Sequence, residues 1–234
     1  MGNMEHFLGL KSLTVHDSNV ENIFLINGEN GQQMNFELLE IDLSDMPLMM
    51  CLFVGAKNSF VFKNLAKIEL ERCEKLEFVF STSVLRCLPQ LLYLRIQECK
   101  VLKYIIENNL EDKKSSITCF PKLKSFHILG CNKLKCVFPI SICKELPELN
   151  LMSIIEAHEL KEIFKSEGDD QKLEIPKLKF IVIAGLPRLC KAQGYQFQAV
   201  KYRCVYECQN LSLTSASTAD NICDDHNIQQ GKII

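Results

Sequence analysis

Cysteine and histidine are the residues whose chemistry would say most about this chain. Twelve of its 234 residues are Cys and five are His. Cys119, His127 and Cys131 fall close together and offer the thiolate and imidazole donors of a tetrahedral zinc site. Cys204-x-x-x-Cys208 stands isolated. His158-Glu159-Leu160-Lys161-Glu162 begins like a metalloprotease motif, but no second His follows. Neither a GxxxxGK[ST] phosphate loop nor a GxSxG nucleophile elbow occurs. Without a complete set, the expectation is no catalytic residue, no metal and no cofactor.

The elements that carry these residues explain their placement better. In Phe120–Phe138 the apolar residues are Phe120, Leu123, Phe126, Ile128, Cys131, Leu134 and Val137, at offsets 0, 3, 6, 8, 11, 14 and 17. A helix would return every 3.6 residues and a strand every two. Here one short alternation, Phe126-x-Ile128, sits between steps of three. The same offsets recur from Phe62 to Val79, from Leu88 to Ile105 and from Leu146 to Ile163, and from Ile175 as far as Leu189. Weaker copies lie upstream, at Phe7–Val15 and Leu38–Met46, and downstream, at Val200–Leu211. From Met46 to Cys73, Cys99, Cys131, Ala157, Leu186 and Cys208 the spacings are 27, 26, 32, 26, 29 and 22. That is the period of a leucine-rich repeat.

The predicted fold class is α/β. It is a leucine-rich-repeat solenoid of about 7–8 repeats, with a parallel sheet lining a concave side and short helices and irregular loops on the convex side. Ser81–Leu88 and Ile140–Leu146 are the segments expected to form convex helices, each with a Ser or Thr cap and ending before Pro. Asn108–Ser116 and Ser166–Lys172 read as solvated polar loops. The solenoid is expected over residues 1–213, and residues 214–234, rich in Ser, Thr, Asp, Asn and Gln, as a polar, disordered tail.

In this register Cys73, Cys99, Cys131 and Cys208 are small apolar fillers at the inward turn. His127 points away from the core and Cys131 into it, so the two should not converge on zinc. Three stacked thiols facing one way cannot pair off, so a reducing, cytoplasmic setting is expected. The sequon Asn210-Leu211-Ser212 is a three-residue coincidence on that reading. A net charge of −2 argues against nucleic acid. Met46–Ala56 is far short of the roughly 20 residues of a membrane span. The first residues lack a signal peptide's apolar stretch, and His6 spoils the myristoylation pattern after Gly2.

Function must then lie on the residues between the inward ones. In order they are Ser12, Thr14, His16; Glu40, Asp42, Ser44; Lys67, Glu69, Glu71; Tyr93, Arg95, Gln97; Ser125, His127, Leu129; Leu151, Ser153, Ile155; Phe180, Val182, Ala184; and Tyr202, Cys204, Tyr206. The first half is polar and charged, and the second turns apolar and aromatic. An exposed apolar patch marks a contact site. Tyr93, Arg95, His127, Leu129, Leu151, Ile155, Phe180 and Val182 are the expected partner-binding residues.

The repeats LPQLLYLRIQECKVLKYII, FPKLKSFHILGCNKLKCVF and LPELNLMSIIEAHELKEIF carry a further signal. Phe/Leu-Pro-x-Leu opens each repeat, Cys stands at the turn in the first two, and a Leu-Lys-x-Ile/Val-Phe-like close follows. These details resemble the C-terminal repeats of plant nucleotide-binding leucine-rich-repeat disease-resistance proteins, chiefly the coiled-coil class, best over Phe60–Leu189. The resemblance implies a non-enzymatic protein-recognition module in plant innate immunity. Its partner would be a pathogen effector, a host guardee or the nucleotide-binding domain of a related receptor. The chain shows no such domain itself, so nucleotide switching does not carry over. The alternative is a substrate-recognition scaffold of a ubiquitin ligase or another cytoplasmic adaptor, although no F-box-like segment precedes the repeats. Cell-surface receptors are a poorer match, for their repeats carry an Asn ladder and a Gly-x-Ile-Pro element.

Overall fold

The computed structural model describes residues 8–25, 34–54, 60–85, 88–107, 120–139, 146–165, 175–190 and 200–211. The chain winds as a parallel β-solenoid. Its first strands are β1 (Ser12–His16), β2 (Asn22–Leu25), β3 (Met34–Asn35), β4 (Glu40–Ser44) and β5 (Cys51–Val54). Then come β6 (Phe60–Val61), β7 (Lys67–Glu71), β8 (Phe78–Phe80) and a helical turn, α1 (Thr82–Leu85). There follow β9 (Tyr93–Gln97), β10 (Tyr104–Ile106), β11 (Ser125–Leu129), β12 (Cys136–Pro139), β13 (Leu151–Ile155) and β14 (Glu162–Lys165). The last are β15 (Phe180–Ala184) and β16 (Tyr202–Tyr206).

Eight of these strands form one sheet in the order β1-β4-β7-β9-β11-β13-β15-β16. All pairs are parallel and in register, so Ile68, Leu94, Phe126, Met152 and Ile181 share one column. The apolar offsets produce this directly. Offsets 6 and 8 are the two inward residues of a five-residue strand; Leu94, Ile96, Phe126, Met152 and Ile154 are fully buried and Ile128 nearly so. The steps from offset 0 to 3 and from 11 to 14 are turns closed by a carbonyl and the amide three residues on. Leu91 donates to Leu88, Leu102 to Cys99, Leu123 to Phe120 and Leu134 to Cys131. The buried thiols of Cys73, Cys99 and Cys131 each donate to the carbonyl two residues before, at 3.5–3.6 Å. A thiol therefore fills the turn and satisfies a backbone acceptor at once.

The return side departs from expectation. Among the described residues the only helix is α1, four residues long, within the segment Ser81–Leu88 where a convex helix was expected. The other expected helix, Ile140–Leu146, lies outside the described residues but for Leu146, and the expected loops Asn108–Ser116 and Ser166–Lys172 and the tail 214–234 lie wholly outside them. Strands line the rest of the return side, β8 and β12 lying immediately before those two segments. One sheet runs β14-β12-β10-β8, and the pairs β2-β5 and β3-β6 continue the pattern toward the N-terminus. The reason lies in the residues that close the repeats, Phe78-Val-Phe, Tyr104-Ile-Ile and Cys136-Val-Phe. β-branched and aromatic side chains are stiff, and favour a pleated surface over a helix.

A row of phenylalanines fixes this second layer. Phe24 stacks on Phe53 at 5.4 Å, Phe53 on Phe80 at 6.3 Å and Phe138 on Phe164 at 5.8 Å. Ile106 replaces the aromatic between Phe80 and Phe138, and Phe80 leans instead toward Phe120 at 5.4 Å. Phe126 meets Phe138 at 5.0 Å, tying the eight-stranded sheet to the return layer.

Candidate protein-recognition face

The eight strands leave one face open, and every second residue of each strand lies on it. Three zones follow from the side chains. Over β1, β4 and β7 the face is polar, with four carboxylates, Glu40, Asp42, Glu69 and Glu71. Lys67 pairs with Glu69 at 2.7 Å. At the rim, Arg72 holds Asp45 through two nitrogens, at 2.6 and 2.8 Å, and also contacts Glu71. The Arg72 guanidinium holds the Asp45 carboxyl below its usual range. His16 contacts the Ser44 hydroxyl across β1 and β4.

The middle zone, over β9 and β11, is a cluster of rings and cations. Tyr93 packs against His127 with ring centres 5.3 Å apart, and the Lys67 ammonium lies 5.9 Å from the Tyr93 ring centre. Arg95 donates to the Gln97 side-chain oxygen at 2.6 Å. Burial, with the positive charge of Arg95 added, pushes the His127 imidazole down to about 4.

The third zone, over β13, β15 and β16, is apolar. Phe180 and Tyr202 stack face to face, 4.8 Å apart and 3° from parallel. Tyr202 and Tyr206 are 53% and 49% exposed. These two tyrosines belong to the patch, although neither was among the expected partner-binding residues. The sequence sets both in the outward column of the last repeat; register with β15 puts Tyr202 against Phe180 and Tyr206 against Ala184.

Of the eight expected residues, Tyr93, Arg95, His127, Leu129, Leu151, Phe180 and Val182 lie half-buried on the open face. Ile155 does not present a free surface; it is buried between Leu129 and Ala184 of the adjoining strands. Ser153 and Ala184 are buried as well, so this part of the face is shallower than alternation alone implies. The zinc grouping does not assemble. His127 is on the open face, Cys131 is in the core, and Cys119 lies outside the described residues. Among the described residues no group of three or more His, Cys, Asp or Glu is placed to hold a metal ion. The Asn210 amide of the sequon donates to the Pro187 carbonyl at 2.6 Å, which a glycan on that nitrogen would disturb.

One column escaped sequence reasoning. The residue after each open-face strand has a left-handed backbone: Asp17, Asp45, Arg72, Glu98, Gly130, Glu156, Gly185 and Glu207. Its amide donates to the last carbonyl of the next strand in the stack, as Glu98 does to Leu129 at 2.8 Å and Gly130 to Ile155 at 3.0 Å. Gly occupies only two of these positions, so the usual glycine signal of such a turn is mostly missing. Gly130 also makes room: a Cβ there would sit 3.2 Å from the Glu98 Cγ.

No described helix is long and apolar enough to cross a membrane. Neither the curated proteins nor the solved structures hold a match to this chain. A family model does match, described as plant disease resistance protein RPS2-like, leucine-rich repeats, over residues 2–100 and 102–224. Stacked parallel strands, buried turn thiols and this match over most of the chain agree, and the protein belongs to the leucine-rich repeats of the plant disease resistance protein RPS2-like family.

Proposed function

We propose that this chain recognises a protein in plant defence, through the open face of its eight-stranded sheet, and catalyses nothing. The partner is a pathogen effector, a host protein under surveillance or the nucleotide-binding domain of a related receptor, met in the cytoplasm. On this reading each open-face strand opens one repeat, seven or eight in all, over residues 1–213, and residues 214–234 are a polar tail. The observation that carries it is the Phe180–Tyr202 stack, with Tyr206 exposed at the other end of the same strand: aromatic surface left in water on a sheet. Aromatic anchors of this kind dominate interface energetics.

The test is a binding screen of the purified chain against recombinant secreted pathogen proteins and candidate host targets. It is repeated with the double variant Phe180→Glu, Val182→Glu. A hit should lose at least tenfold in affinity with the variant while the circular dichroism spectrum and melting point stay close to the parent's. Hits that the variant binds equally well would remove this face as the site.

A further inference from the structure

The cations of the open face and its rim are not treated alike. Lys67 is neutralised by Glu69, and Arg72 by Asp45 and Glu71. Away from this face the same holds for Lys11 with Glu37, Lys103 with Glu77 and Lys177 with Glu148. Arg95 is the exception on the face. Its side chain meets neutral groups: it donates to the Gln97 amide oxygen at 2.6 Å, and the Tyr93 hydroxyl is its other polar neighbour. The carboxylate nearest in register, Glu69, is committed to Lys67.

Arg95 also sits where an anchor would be used. It is half-buried in a central strand, with Tyr93 beside it and His127 opposite it in register. A guanidinium presents a planar fork that matches a carboxylate with two parallel bonds. Partial burial strengthens such a pair, while leaving the guanidinium unpaired is unfavourable. Tyr and Arg are the residue types enriched at the centres of interfaces.

We infer that Arg95, flanked by Tyr93 and His127, is the receptor for a carboxylate side chain of the protein partner, and so selects for an Asp or Glu. This rests on the open face being the recognition surface. It adds a polar reading point to the apolar terrace of β15 and β16. The charged and titratable groups facing His127 are Arg95 and Tyr93 of β9 and Glu69 and Lys67 of β7; from β13 the register partner is the neutral Ser153. A bound carboxylate would stabilise the imidazolium, which makes His127 a reporter of occupancy.

The experiment is a titration of the isotope-labelled full chain, followed by NMR at the Arg95 Nε–H and the His127 ring. The probes are N-acetyl-glutamate amide, its neutral twin N-acetyl-glutamine amide, and inorganic phosphate, at constant ionic strength. The glutamate probe should shift the Arg95 signal saturably at millimolar concentration and raise the His127 midpoint by about half a pH unit or more. Its neutral twin should do neither. Arg95→Gln should abolish the response, and Arg95→Lys, which keeps the charge but loses the fork, should weaken it several-fold. Equal responses to the two amides, a response surviving in Arg95→Gln, or phosphate saturating at a tenfold lower concentration would each overturn the assignment. A protein partner that tolerates Arg95→Gln but is lost by Phe180→Glu, Val182→Glu would defeat this inference and leave the recognition reading intact.

Discussion

At the residue scale, three positions show how the stack changes ordinary chemistry. His127 titrates near 4 rather than at its usual 6.5, because burial and Arg95 disfavour the imidazolium. The folded state therefore binds fewer protons than the unfolded state between about pH 6.5 and pH 4. Stability should fall as pH drops through that window, by at most about 1.4 kcal/mol per pH unit from this group. His127→Gln should flatten that part of a stability-against-pH profile measured by urea denaturation. Cys73 and Cys99 are pushed upward, first by contact with the neighbouring thiol in each case, then by burial. Both should resist alkylation in the native protein while exposed Cys190 reacts, a contrast that mass spectrometry reads directly. The third position is Gly130. Ala there meets both a left-handed backbone, at φ +69°, and the Glu98 Cγ, and should lower stability by about 1 kcal/mol or more. The converse, Glu98→Gly, should be nearly neutral, since relief at the left-handed site offsets the greater freedom of an unfolded glycine.

At the element scale, each five-residue strand contributes two inward side chains, and each return strand adds a ring. Leu94→Ala removes a fully buried side chain from the middle of the sheet and should cost about 2–5 kcal/mol. Phe138 touches Phe120, Phe126 and Phe164, so Phe138→Ala should cost about 3–5 kcal/mol. Chemical denaturation measures both; an unchanged midpoint for either would contradict the packing described. The ion pairs between successive turns are a different matter. Lys11–Glu37 and Lys177–Glu148 have side chains 37–61% exposed, so water screens them and they add little to stability. The inward columns and the cysteine turn were legible in the residues, because burial imposes a strict spacing. The return strands were not. A short apolar run following a turn reads equally well as a strand or as one turn of helix, and the choice depends on partners one repeat away.

For the whole molecule, contacts run only between neighbouring turns, so stability should vary along the stack. Leu13 of β1 is 9% exposed and Val205 of β16 is half-buried, whereas the same positions in the middle are sealed. Hydrogen exchange should be fastest in β1 and β16 and slowest in β7, β9 and β11. By the same reasoning Leu13→Ala should fray one end without much change in the main transition, while Leu94→Ala should lower cooperativity throughout. Uniform protection along the eight strands would argue against this quasi-linear behaviour.

Sequence alone determined the repeat, the burial of its apolar positions, the role of the turn cysteines and the family resemblance. Each of these follows from a pattern local to one turn of chain, where side-chain type and offset suffice. The structure decided what depends on neighbours in the stack: a return layer of strands, the left-handed column Asp17 to Glu207, the burial of Ile155, and the joining of Tyr202 to Phe180. Parallel register brings residues more than twenty positions apart to within a side chain's reach, and no spacing within a single repeat encodes which of them will meet.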